Sequence, residues 1–192
     1  MTPTLFRRTA LILGAATIAL VAPATAHESK RVNHHNSGHG AAAMPTIVGA
    51  AAANPDFSTL VAAVQAAGLV DTLNGAGPFT VFAPTNAAFA ALPAGTVDTL
   101  LRPENRAQLT RVLTYHVIAG RASAQDIMAA IRRGRGTASF TTVAGERITA
   151  TRDRHGNLVL VDQRGGRSTV RAADLNQSNG VIHVIDRVVL PR

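Results

Sequence analysis

Apolar residues change their spacing about two-thirds of the way along the chain. In the first part they follow a helical period. Phe57, Leu60, Val61 and Val64 recur at i, i+3, i+4 and i+7, which places one apolar stripe along a helix. Asn54-Pro55-Asp56 supplies its start: Asn54 caps, Pro55 suits the first helical position and Asp56 complements the dipole. Gly68 stops it, and a helix-compatible stretch from Thr46 to Ala53 precedes it. After the turn Gly75-Ala76-Gly77-Pro78, the run Phe79 to Ala83 reads as a short buried strand that Pro84 ends. Thr85-Asn86-Ala87-Ala88-Phe89 then forms a capped helical turn, with Thr85 or Asn86 as the cap and Phe89 folding back towards Phe79 or Phe82. Gly95 to Leu101 gives a further helical turn. Pro103 begins another helix, with Leu109, Val112 and Leu113 on one face, which runs into an extended Tyr115-His116-Val117-Ile118. Ser123 and Asp126 have capping-box spacing before the stripe Ile127, Met128, Ile131, and Gly134 closes that helix.

From Ser139 onward the period shortens. Ser139–Val143, Arg147–Arg152, Leu158–Asp162 and Ser168–Ala172 are β-like runs, separated by Gly145, Arg154-His155-Gly156-Asn157 and Gly165-Gly166. Turns about every ten residues predict an antiparallel meander. Val181 to Leu190 closes the chain with two mainly apolar faces, which predicts an inner strand. Helices first and antiparallel sheet afterwards give an α+β class built on a sandwich or partial barrel.

The N-terminus has a different pattern. Arg7 and Arg8 precede a 12-residue uncharged run, Ala10 to Val21, followed by Pro23 and Ala24-Thr25-Ala26. Residues 1–26 therefore read as a secretory signal peptide with a small-x-small cleavage site. The run is shorter than the roughly 20 residues a membrane span needs. The expected product starts at His27, is exported, and resides in the periplasm or the medium. Residues 27–45 are polar and aperiodic, a flexible linker bearing His27, His34, His35 and His39. Neutral imidazoles on such a segment are weak candidates for Zn, Cu or Ni, and a solvated spacer is the plainer reading. Residues 46–192 form one domain.

Composition narrows the function. There is no Cys among 192 residues, hence no disulfide, thiolate metal site or Cys nucleophile. With no Trp, one Tyr and six Phe, stacking platforms for nucleic acid are not expected. The chain carries 18 Arg and one Lys, and without residues 1–26 its net charge is +6. That excess favours anionic partners: acidic polysaccharide, a membrane surface, or a cell-surface or matrix protein. Arg132-Arg133-Gly134-Arg135 is the densest basic cluster. It reads either as a solvated helix C-terminus, where cations complement the dipole, or as a docking patch for acidic polymer. Gly-x-Ser-x-Gly, His-Glu-x-x-His and Walker motifs are absent, and no carboxylate pair suggests glycosidase chemistry. No catalytic residue and no cofactor is expected.

Three blocks together resemble the fasciclin (FAS1) domain. They are Gly77-Pro78-Phe79-Thr80-Val81-Phe82-Ala83-Pro84-Thr85-Asn86-Ala87-Ala88-Phe89, then Leu113-Thr114-Tyr115-His116-Val117-Ile118, then Asn179 to Pro191. The resemblance covers about residues 46–192. It implies a wedge-like, roughly seven-stranded antiparallel β-sandwich with N-terminal helices. It also implies a non-enzymatic extracellular module of adhesion or matrix type. Under it, Tyr115 and His116 are a candidate adhesion motif. Asp174 and Leu175 stand where some animal members carry an integrin-binding Asp-Ile pair. The residues alone read His116 and His183 as core histidines hydrogen-bonded to the backbone. Because some members carry carotenoids or other apolar molecules, the resemblance leaves an apolar small-ligand carrier as the alternative, with an Ala/Val-rich interior as the groove.

Overall fold

The structure, a computed structural model, describes residues 44–192. The expected signal peptide and the four histidines of the linker lie outside the described residues.

Helices dominate the first half: α1 (Ile47–Ala52), α2 (Ser58–Ala67), α3 (Val70–Asn74), α4 (Asn86–Ala90), α5 (Thr96–Leu100), α6 (Arg106–Tyr115) and α7 (Ala124–Arg133), with single 3-10 turns at Pro55–Phe57 and Pro103–Asn105. The strands are β1 (Phe79–Pro84), β2 (Val117–Ala119), β3 (Thr137–Thr141), β4 (Arg147–Arg152), β5 (Leu158–Val161), β6 (Arg167–Gln177) and β7 (Gly180–Ile185).

The caps form as the sequence predicts, with one division of labour. The Thr85 hydroxyl accepts from Ala88 N and caps α4. Asn86 serves α2 instead: its Oδ1 accepts from Thr59 N at 3.0 Å, and its Nδ2 donates to Pro55 O at 2.9 Å. Ser123 and Asp126 make the full capping box of α7. Gly68 ends α2 in the left-handed region at φ 71°, a conformation that favours glycine.

The seven strands form one mixed sheet in the order β2-β1-β7-β6-β5-β4-β3, not an antiparallel sandwich. β1 and β7 run parallel, from Phe79 opposite Gly180 to Pro84 opposite Ile185, while every other named pairing is antiparallel. The parallel pair joins segments about a hundred residues apart, so no local turn could announce its direction. A bridge between Ile118 and Thr142 links the two ends of the order, and Val143 N donates to Val117 O at 2.8 Å. The sheet is thereby almost closed into a barrel. β6 makes this curvature possible. Its pairing with β7 shifts register between Val170 and Ala172 and again between Ala172 and Leu175, and such bulges bend a strand.

Two apolar cores fill the molecule. One lies under the N-terminal helices and contains Phe57, Val64, Phe89, Leu113, Ile182 and Val184. The other lies inside the barrel beneath α7 and contains Phe82, Tyr115, Ile127, Ile148, Leu160 and Ile185. Phe89 thus shares the first core with Phe79, and Phe82 faces the second. The predicted inner strand is observed, but regular pairing stops at Ile185. Three further boundaries differ. α3 carries no side-chain cap and gave no sequence signal. β6 extends past Ala172 through Ala173 to Gln177, a mostly exposed stretch with no apolar alternation. Tyr115 ends α6 as a helical residue, so extended chain begins only at Val117.

Asn179 fastens the helical layer to the central strands. Its Oδ1 accepts from Ile47 N at 2.9 Å, and its Nδ2 donates to Leu73 O at 2.7 Å and Gly75 O at 3.2 Å. Next to it, a Cβ on Gly180 would collide with the carbonyl of Phe79 on the parallel neighbour. Asn179→Ala leaves half-buried α1 and α3 backbone groups without partners and should lower stability by about 2 kcal/mol. Gly180→Ala should cost about 1–3 kcal/mol through backbone displacement. Urea titration of both variants measures these losses.

Candidate functional site

The Tyr-His motif sits where the two cores meet. Tyr115 is fully buried, and its hydroxyl donates to Arg147 O at 2.9 Å. Burial pushes its pKa up to about 12. His116 follows at the helix end and is 2% exposed. Its Nε2 accepts from Val189 N at 3.2 Å, so the proton resides on Nδ1, which donates to Val112 O at 2.7 Å. Desolvation holds its pKa down at about 4.

His183, in the middle of β7, mirrors this arrangement with the other tautomer. Its Nδ1 accepts from Asp174 N at 3.3 Å, and its Nε2 donates to Ala122 O at 2.9 Å. The ring stacks on Phe82 with 5.6 Å between centroids. Burial lowers its pKa as well. Both imidazoles are therefore neutral and tied at both nitrogens. Neither reaches solvent as an acid, base or ligand, and Tyr115-His116 can act on a partner only by shaping the surface above it.

Asp174 and Leu175 lie elsewhere, on the irregular part of β6. Asp174 adopts φ +59°, rare for a non-glycine residue. It is held there by two contacts: Oδ1 accepts from Ala124 N at 2.8 Å, and its own N–H reaches His183. Arg121 pins the next residues, donating to Asn176 Oδ1 at 3.0 Å and to Gln177 O at 3.2 Å. Between these anchors Leu175 projects with 40% of its surface exposed. Arg121 was not singled out in the sequence, because the contact spans more than fifty residues and has no local signature.

Arg132 and Arg133 occupy the exposed last turn of α7, with Arg135 just beyond it at φ +55°. None of the three forms an ion pair among the described residues, where the pairs are Arg102–Glu104, Arg111–Glu146 and Arg171–Asp186. The structure does not bring this cluster to Tyr115-His116 or to Asp174. No group of three or more metal-ligating side chains occurs among the described residues. Beneath α1 and α2 lies an apolar cavity of about 30 Å³, lined by side chains including Ile47, Leu60, Val64, Val81 and Leu113 and by the ring of His116, whose nitrogens are both taken by backbone groups. At ~10–15 Å³ of accessible space per water, that volume has room for two or three water molecules.

The buried histidines make stability depend on pH. His116 has a folded pKa of about 4 against an unfolded value of 6.5. The unfolded chain therefore takes up this proton first as pH falls. The stabilisation is complete above pH 6.5 and is lost as pH drops from 6.5 towards 4, by about 3 kcal/mol at the lower limit. His183 adds a loss of the same sign. Urea midpoints measured at pH 7, 5 and 4 should fall in wild type and equally in a His155→Gln control, and the slope should flatten in His116→Leu. Tyr115→Phe should cost about 1 kcal/mol by removing one buried hydrogen bond.

Comparison with known proteins agrees with this architecture. The family model described as Fasciclin domain matches residues 55–191. The chain is 45% identical over 183 residues to protein sll1483 of Synechocystis, covering 95% of this chain and 92% of that protein. It is 36% identical over 154 residues to the cell surface glycolipoprotein MPB83 of Mycobacterium bovis, covering 78% of this chain and 62% of the relative. Among solved structures it is similar to the FAS1 domain pair of the insect cell adhesion molecule Fasciclin I. There the TM-score is 0.53 at 24% identity, over 66% of this chain and 42% of that one, a likeness of fold. A parallel β1–β7 pair in an almost closed seven-stranded sheet, the buried Tyr-His pair and the family match lead to one conclusion: this chain belongs to the fasciclin domain family.

Proposed function

We propose that this protein is an exported, non-enzymatic adhesion module that binds a cell-surface or matrix protein through the Asp174–Leu175 bulge. The observation that carries this reading is Leu175, an aliphatic side chain held in solvent on a backbone fixed from both sides by Asp174 and Arg121. An immobilised backbone lowers the entropy lost on binding, and an exposed aliphatic group beside a carboxylate offers both apolar contact and charge. A cell-surface relative supports the placement outside the cytoplasm. The two buried histidines, each saturated by backbone groups, support a binding role over catalysis.

A second reading takes the apolar cavity as the site of a small apolar guest. The surface of its lining is apolar throughout, the carbon atoms of the His116 ring included. A guest as large as a carotenoid or lipid would need α1 and α2 to part from the sheet, against the Asn179 and Thr46 contacts that hold α1. Native purification and mass spectrometry of co-eluting small molecules tests this reading. A pigmented or lipid-bearing product favours it.

A deletion strain should lose aggregation and surface attachment and regain both with the wild-type gene. Complementation with Leu175→Ser should restore less than half of the attachment while the purified variant keeps its thermal midpoint, since surface substitutions usually change stability by less than ~0.5 kcal/mol. Unaltered attachment in the deletion strain would remove adhesion as the function.

A further inference from the structure

Strand pairing creates a second surface that the linear sequence does not display. Paired residues in a sheet point to the same side. Thr137 lies opposite Thr151, Ser139 opposite Thr149 and Thr141 opposite Arg147. Thr149 continues to Val161, which lies opposite Arg167, and Thr169 follows on that strand. α7 covers the other side of these strands, where Ile148, Ala150, Ala138 and Phe140 join the barrel core with Ile127 and Ile131. The outer side therefore presents hydroxyls on β3, β4 and β6, with Val159 and Val161 of β5 lying between the β4 and β6 rows. Thr137, Ser139 and Thr141 are exposed, and Thr149, Thr151 and Thr169 are half-buried.

Cations frame this field. Arg147 and Arg167 stand on it at one end, both exposed. At the other end Arg135 precedes Thr137, and Arg154 sits in the turn after β4, while Arg152, paired with Leu158, belongs to the core side of the sheet. None of the four framing cations is ion-paired among the described residues. The outward positions of β3 to β5, and Arg167 and Thr169 on β6, include no carboxylate. Neighbouring acids are engaged elsewhere: Glu146 with Arg111, Asp186 with Arg171, and Asp153 with the amides of its own turn. Four strands at ~4.8 Å spacing make the field about 14 Å wide.

We propose that this outer face of β3–β6 is a docking surface for an anionic polysaccharide bearing carboxylate or sulfate groups. Guanidinium groups at both ends pair with the acidic substituents, and the hydroxyl rows exchange hydrogen bonds with sugar hydroxyls between them. Charge complementarity selects the occupant. No Phe or Tyr stands on the face among the described residues, so binding rests on charge and hydroxyl contacts rather than ring stacking. The site is separate from the Asp174–Leu175 bulge and does not depend on that reading.

The test is binding of the purified full chain to dextran sulfate, alginate, uncharged dextran and vesicles containing phosphatidylglycerol, at several salt concentrations. Binding to both charged polymers, weakening steeply with salt, is expected, with none to uncharged dextran. Arg147→Gln/Arg167→Gln should weaken it roughly tenfold. Thr141→Val/Thr149→Val, which keeps strand propensity and shape, should weaken it several-fold. Leu175→Ser should bind the polymers as wild type does, so failure of the adhesion reading leaves this result intact. Three outcomes overturn the proposal: equal binding to uncharged dextran, binding to vesicles alone, or loss in Arg132→Ala/Arg133→Ala with full retention in the Arg147/Arg167 variant. The last would place the polymer on the end of α7.

Discussion

The parallel pairing of β1 with β7 is the constraint on which the rest of the fold depends. Both strands lie inside the molecule, buried almost throughout, between the helical layer and the barrel core. Parallel strands are typically covered on both faces, and their sequences read as continuous apolar runs. Phe79-Thr80-Val81-Phe82-Ala83 and Val181-Ile182-His183-Val184-Ile185 have that composition. Polar residues in such a pair must be satisfied within the protein. Thr80 achieves this by donating to Gly120 O and accepting from Ala122 N, and His183 by bonding Ala122 O and Asp174 N. The loop 120–122, the bulge at Asp174 and the central strands are thus fastened to one another by two buried side chains.

This constraint separates structural motifs from functional ones. Tyr115-His116 carries much of the family resemblance, yet both side chains are consumed in closing the barrel against the chain end. His116 holds Val189, and Tyr115 holds the start of β4. Protonating either imidazole would set N–H against N–H at Val189 or Asp174. The neutral state is therefore part of the fold, and recognition is left to the exposed surface.

Much of the local structure was legible in the residues. Ser123 with Asp126, Thr85 and Gly68 mark helix ends through short-range hydrogen bonds or backbone preference, and each acts as its sequence predicts, whereas Asn54 caps the 3-10 turn Pro55–Phe57 that leads into α2 and not α2 itself. β4 was readable to the residue because Ile148 and Ala150 alternate with outward Thr149 and Thr151. What escaped is non-local. β6 beyond Ala172 is mostly exposed, with no buried apolar alternation, and is a strand through its pairing with β7. α3 has no N-terminal side-chain cap to announce it, and its last turn is held from far along the chain by Asn179, which donates to Leu73 O. The direction of β1 relative to β7 has no local correlate. The same limit applies to the sites. Asp174-Leu175 could be located by resemblance, but its anchoring by Arg121 and Ala124 could not. The hydroxyl face is invisible until register aligns four strands.

β6 unites these surfaces. Its first residues, Arg167 and Thr169, pair with β5 and belong to the outer hydroxyl face, whereas its later residues pair with β7 and carry the exposed bulge. A regular strand of eleven residues would continue in one direction and keep alternating faces. The two register shifts interrupt that alternation and turn the strand from one half of the barrel to the other. They also generate the positive φ of Asp174, which the carboxylate bond to Ala124 and the amide bond to His183 together sustain. The irregularity that closes the sheet is therefore the same one that lifts Leu175 into solvent. A sheet paired without these shifts would have neither the near-closed barrel nor the displayed side chain.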